Sequence, residues 1–232
     1  LEDSITELFN LVDLPAGSRL YGSNMVPAVT NGYSYELRPR LENLFTSFAM
    51  AISRALTPQE VAAMEVASHL LCNSWDSEIL GKAREAGLCY SMRGYTESFK
   101  TQSIWAFDTP IGPDNATDFF ALMSAALKKL TTENIDEQAI RRAKDFLVGS
   151  AKKNGQTSLE LLDLYTEDYF ALDRVTNFHD KTQYLEDVSA EDISRLASEF
   201  VNATSQVFSG VGSISVEDFS CLYDNFRADL DN

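Results

Sequence analysis

The sequence carries only two histidines, His69 and His179, and histidine is the residue most metal and acid–base chemistry would need. Zinc hydrolysis takes three protein ligands and an open position for water. Glu65 stands one turn before His69 on a predicted helix, which supplies two groups and no third. A helical Glu–His pair at this spacing is expected to be a surface or boundary pair. His179 lies in Asn177-Phe178-His179-Asp180, a loop-like stretch with no partner at metal spacing, and neither His-x-x-Glu-His nor its inverse occurs. Nucleophilic chemistry has no better support, because there is no Gly-x-Ser-x-Gly elbow. Cys72, Cys89 and Cys221 are odd in number, widely spaced and set in apolar segments, so they are expected to be buried free thiols. Gly210-Val211-Gly212 lies inside a strand pattern and lacks the third glycine and the helix start of a dinucleotide fingerprint. The pairs Asp187/Glu191 and Glu167/Asp168 are expected to be solvated helix faces. Asn115-Ala116-Thr117 and Asn202-Ala203-Thr204 match the glycosylation sequon, a pattern common by chance. The residues thus predict no catalytic residue, no metal ligand and no complete catalytic site.

Composition narrows the partners. The 232 residues are 44% hydrophobic, enough for a real core, and carry a net charge of −16. That charge argues against nucleic acid, whose binding depends on Lys and Arg neutralising phosphates, and against anionic membrane surfaces. It is compatible with a basic partner or substrate. No apolar run approaches the roughly 18 residues of a membrane span. The chain opens Leu1-Glu2-Asp3-Ser4, without a basic leader or an initiator Met. These features predict a cytoplasmic, soluble chain that is a cleaved product or a piece of a longer one.

The elements that would position any site follow from the spacing of apolar residues. Ile5, Leu8, Phe9 and Val12 predict a helix over 4–12, stopped by Leu14-Pro15-Ala16-Gly17. Residues 17–40 read as a linker, with a short strand at Tyr33 and Tyr35. From Glu42, Leu44, Phe48, Met50 and Ile52 alternate with Phe45, Ser47, Ala49 and Ala51, the signature of a strand with one buried face. Thr57-Pro58-Gln59-Glu60 is a capping box that starts a helix running to about Asn73. A helix over 76–85 and a hairpin of strands 88–98 and 103–110 follow. Helices are then predicted over 116–131, from Asn134 and Glu137, from Thr157 and Glu160 to Leu172, and from Ser189. Val188 and Ile193 have hydrophobic-staple spacing at the last of these. A strand over 205–214 and a helix over 216–230 close the chain. Such an order lacks the regular alternation of a doubly wound sheet. It predicts an α+β fold of two layers, a mixed and mostly antiparallel sheet with helices on one face.

One stretch is more specific. Leu70-Leu71-Cys72-Asn73-Ser74, Ser77-Glu78-Ile79-Leu80 and Ala83-Arg84-Glu85-Ala86-Gly87-Leu88-Cys89-Tyr90-Ser91 together resemble the second, non-zinc half-domain of pitrilysin/insulinase-type zinc peptidases, the group that includes mitochondrial processing peptidase. The matching order continues through the hairpin, Asp136–Gly149 and the Val188–Phe200 helix. Residues 1–40 then read as the tail of a preceding half-domain plus a linker, and 41–232 as one α+β domain.

The resemblance implies a clamshell half. Zinc and its motif would lie on a missing half or a partner chain, with no cofactor in this one. The partners would be a homologous half-domain and a peptide substrate. This chain alone is expected to bind no stoichiometric zinc and to cleave no peptide. In several members an Arg, and a Tyr four residues later, bind substrate beside the metal. Tyr90 matches that Tyr, but the Arg position is Ala86, and Arg84 and Arg93 do not hold the matching place. A phenol can hydrogen-bond a peptide carbonyl or its developing oxyanion. The other role open to Tyr90 is a strand aromatic packed on the sheet. Two further readings stay open: a scaffold that has lost catalysis and binds only a partner protein, and an unrelated small-molecule-binding domain, which would need a compact apolar pocket.

Overall fold

The computed structural model describes residues 31–132 and 135–231. The helix over 4–12, the first part of the 17–40 linker and the cap at Asn134 lie outside the described residues.

Five strands form one sheet in the order β1-β5-β2-β4-β3. They are β1 (Asn31–Leu37), β2 (Leu44–Ile52), β3 (Arg93–Ser98), β4 (Ser103–Ile111) and β5 (Ser205–Gly212). Neighbours pair antiparallel except β1, which lies parallel to β5 at the edge. The sheet is therefore mixed, and helices cover one face of it. Tyr33 and Tyr35 do lie in a strand, and that strand joins the sheet from within the segment read as linker.

The alternation in β2 works as its residue types require. Leu44, Thr46, Phe48, Met50 and Ile52 are buried, while their neighbours point to the other face. Phe48 sits level with Phe107 on β4 and Phe208 on β5. Phe120 and Phe226 reach these rings from two helices, α3 (Ala116–Thr132) and α8 (Val216–Asp231), and Phe226 meets Phe48 edge-on at 4.9 Å. Such tilted aromatic contacts add to the stabilisation from area burial. Trp105 is fully buried, and its indole N–H donates to Ser68 Oγ at 3.0 Å, which removes the cost of an unpaired donor.

Ser68 belongs to α1 (Pro58–Cys72), which Thr57 and Glu60 cap reciprocally. This helix lies over β3 and is itself covered by α4 (Glu137–Asn154), α6 (Phe178–Asp187) and α7 (Ala190–Val201). Its small buried residues Ala62, Ala63 and Ala67 permit that close approach on several sides. The remaining helices are α2 (Leu80–Glu85) and α5 (Ser158–Leu172). Among the described residues, no helix is long and apolar enough to cross a membrane.

Three local expectations change. His179 is in the first turn of α6, not a loop, and its N–H donates to the Asn177 cap. Only Leu185 of that helix is buried, so no apolar period announces it. The strand expected from 88 begins at Arg93, because Gly87 (φ 70°) turns the chain sharply after α2 and Cys89 makes only an isolated bridge to Ile111. The N-cap of α4 is Asp136, whose carboxylate accepts from the Gln138 N–H at 3.0 Å. Cys72 and Cys89 are buried free thiols, but Cys221 is exposed on the outer side of α8.

Candidate functional site

The face of the sheet that carries no helix is ordered by register. Ser34, Ser209, Ser47, Asp108 and Arg93 pair in sequence across all five strands and form one polar row. Apolar residues flank it on both sides. Val211, Phe45 and Pro110 lie in one flanking row, and Val207, Ala49 and Ala106 in the other. The small side chains leave a shallow open concavity of about 650 Å³ along the row.

Its charged end is a three-residue cluster. The Arg93 guanidinium sits 4.7 Å from the centre of the Tyr95 ring. Tyr95 titrates above its ordinary value, first because it is desolvated and then because the nearby Asp108 carboxylate disfavours the phenolate. The phenol therefore stays protonated at neutral pH and serves as a donor. Together the row offers hydroxyls, a carboxylate and a guanidinium, groups suited to hydrogen-bonding polypeptide backbone and side chains.

A second concavity adjoins the first and shares Ser91 and Pro110 with it. Tyr90 stands on its rim, 80% exposed and off the sheet. The alternative of a packed strand aromatic is therefore not what the structure has. Arg84 on α2 lays its guanidinium 4.7 Å from the Tyr90 ring centre and 3.8 Å from that of Trp75. Trp75 is also exposed, so the cation lies between two solvent-facing rings. Ala86, at the position where the resemblance expects Arg, is an exposed residue at the end of α2.

The other candidates go elsewhere. His69 is buried and stacked on Phe146 at 4.7 Å, and burial lowers its pKa, so the ring is neutral. Its neighbour Glu65 faces Lys181 at 3.8 Å. Among the described residues no group of three or more His, Cys, Asp or Glu side chains converges as a metal would require. Among the described residues the donor set therefore does not fit zinc. Burial raises the pKa of both Cys72 and Cys89, so neither is a thiolate at neutral pH. Gly210 is a packing residue, since a Cβ there would lie 2.4 Å from the Phe219 ring.

Ser34, Ser209, Trp75, Tyr95 and Asp108 are site residues that sequence reasoning missed. The outward set of β2 was readable from its alternation, but its alignment with Asp108 and Ser209 needs the register.

A model of the family described as the peptidase M16 inactive domain matches residues 5–147. No curated protein sequence matches the chain. Solved structures share the fold at low identity. A chain of complex III2 from Candida albicans, with Inz-5 bound, superposes with a TM-score of 0.71 at 18% identity over 87% of this chain and 49% of that one. A protease from Helicobacter pylori gives 0.67 at 16% identity, over 77% of this chain and 43% of that one. A peptidase M16 inactive domain from Pseudomonas fluorescens gives 0.63 at 13% identity, over 79% and 43%. The chain thus spans about half the length of these structures or somewhat less.

Proposed function

Because the chain belongs to the peptidase M16 family, through its inactive domain, we propose that it is the non-catalytic half of a two-half peptidase. Its uncovered sheet face would enclose an extended polypeptide against a zinc-bearing half outside this chain. The carrying observation is the polar row from Ser34 to Arg93 between two apolar rows, on a face that no helix covers. An extended chain lying on such a face meets hydrogen-bonding groups along one line and apolar surface on both sides. Tyr90 on the rim would donate its phenol to a substrate carbonyl. Zinc in the other half would supply Lewis-acid chemistry; the residues here bind, orient and exclude water. A compact apolar pocket for a small molecule is less well supported, because the concavity is open and crossed by polar side chains.

The second reading is a partner-binding scaffold without catalysis. The likeness to a chain of a respiratory complex favours it, although at 18% identity that likeness speaks for fold alone. Both readings place a polypeptide on the open face, and they differ in whether the opposite half carries zinc.

The test is a photo-crosslinking amino acid placed at Ser47 in the complete assembly, with one at the exposed Lys152 on α4 as control. Crosslinks to substrate peptide or to the opposite half are expected from position 47 and not from 152. Equal crosslinking from both positions would contradict the proposal.

A further inference from the structure

Helix α5 is anomalous, since none of its fifteen residues is buried and it packs extensively on no other described element. It is nevertheless rich in large apolar residues. Leu159, Leu162, Tyr169 and Phe170 are 66%, 59%, 53% and 72% exposed. At 3.6 residues per turn these four positions fall on one stripe, pointing away from the half-buried Leu161, Leu164 and Leu172. An amphipathic helix normally turns its apolar stripe inward, and α5 has a second stripe turned outward.

The helix is capped at both ends. Thr157 and Glu160 form a reciprocal capping box at its start. At its end, Asp173 adopts the left-handed conformation and its N–H closes on the Tyr169 carbonyl. Asp173 also pairs with Lys100 of the β3–β4 turn at 3.3 Å, and the Thr176 N–H donates to Asp168 at 3.0 Å. The outward stripe is therefore the ridge of a capped helix, tied to the β3–β4 turn by one ion pair.

Its charge selects the occupant. Residues 158–172 contain four acidic side chains and no Lys or Arg. Asp163 and Glu167 run alongside the Leu159–Phe170 edge of the stripe, and neither makes an ion pair among the described residues. A second copy of this chain, with net charge −16, would set one acidic edge against another. An anionic lipid surface would meet the same repulsion. We propose that α5 docks a partner polypeptide that is apolar along one side and edged with Lys or Arg, most simply an amphipathic helix packed along the ridge. This site shares no residue with the concavity of the open sheet face and goes beyond the enclosure proposed there.

The experiment titrates this chain with a fluorescent amphipathic helical peptide of Leu and Lys, with a Leu/Glu peptide of the same pattern, and with phosphatidylserine vesicles, read by anisotropy and co-sedimentation. The Leu/Lys peptide is expected to bind, and Leu162→Ser combined with Phe170→Ser to weaken it by about tenfold or more while far-UV circular dichroism is unchanged. Asp163→Asn with Glu167→Gln should weaken it several-fold at low salt and little at high salt. Leu159→Ser with Tyr169→Ser provides an independent pair if the first fails to fold. Equal binding by folded stripe variants would overturn the proposal by placing the peptide elsewhere. So would vesicle binding, or a dimer in sedimentation, that disappears with the same substitutions.

Discussion

Ser47 on β2 and Ser209 on β5 are register partners on the uncovered sheet face, and Ser209 Oγ donates to the Ser47 carbonyl at 3.4 Å. Strands at the middle of a sheet usually carry bulk on both faces, and here one face is kept small. Ser47→Arg should therefore be tolerated by the fold, with a stability change below about 1 kcal/mol in urea unfolding. In the complete assembly the same change should fill the concavity and sharply reduce engagement of polypeptide. Normal engagement with Arg at position 47 would show that this face is not used.

The ion cluster at the sheet end makes a pH prediction. Arg54 pairs with Glu60 at 2.8 Å and with Glu199 at 2.6 Å, and so ties α1 to α7. Burial raises the Glu60 pKa, but hydrogen bonds from the Arg54 guanidinium and the Thr57 N–H outweigh it and hold the carboxyl at about 2. A carboxylate depressed on folding stabilises fully above its unfolded value near 4.5, and that contribution is lost as pH falls towards 2. Arg54→Ala should cost about 1–2 kcal/mol at pH 7, because it removes the main partner of the Glu60 carboxylate, which keeps only Arg195 at 3.4 Å and the Thr57 N–H at 3.0 Å. The gap between wild type and variant in denaturant unfolding should narrow from pH 5 to about pH 2. A gap that does not change with pH would contradict this account of Glu60.

Gly210 tests the packing reading of the Gly-x-Gly pair. A methyl group there would meet Phe219 Cε2 at 2.4 Å, and Phe219 is itself held between Tyr35 at 4.3 Å and Phe208 at 5.1 Å. Gly210→Ala should destabilise by about 1–3 kcal/mol, seen as a lower melting temperature. No change would mean that Phe219 moves aside at little cost.

Tyr90 separates function from stability. With its ring 80% exposed, Tyr90→Phe should leave unfolding within about 0.5 kcal/mol of wild type. Substrate turnover or partner binding by the complete assembly should nevertheless fall, because the phenol is lost while the ring that faces Arg84 is kept. Unchanged activity would leave the ring as a stacking partner only.

What the sequence made legible was local. The caps at Thr57, Thr157 and Ser189 are readable because a cap acts within a few residues of itself, and all three form. The alternation through Phe48 and Met50 showed which face of β2 is buried. By contrast, Tyr33 and Tyr35 could not reveal that β1 runs parallel to β5, because that pairing spans most of the chain. The row from Ser34 to Arg93 was invisible for the same reason, since it exists only once four pairings fix the register. Helix α6 escaped because a short helix with one buried residue has no period. Tyr90 stood out only through a family resemblance, and its neighbour Trp75 stood out through nothing, because the turn between α1 and α2 brings them to one guanidinium.

The accessibility of position 47 tests the central claim most directly. Ser47→Cys, in a Cys221→Ser background that removes the exposed native thiol, would be labelled with a polar maleimide. The account predicts rapid labelling of this chain alone, and labelling slowed by about tenfold or more when the opposite half and an extended peptide are present. Equal rates in the two states would contradict enclosure of a polypeptide on this face.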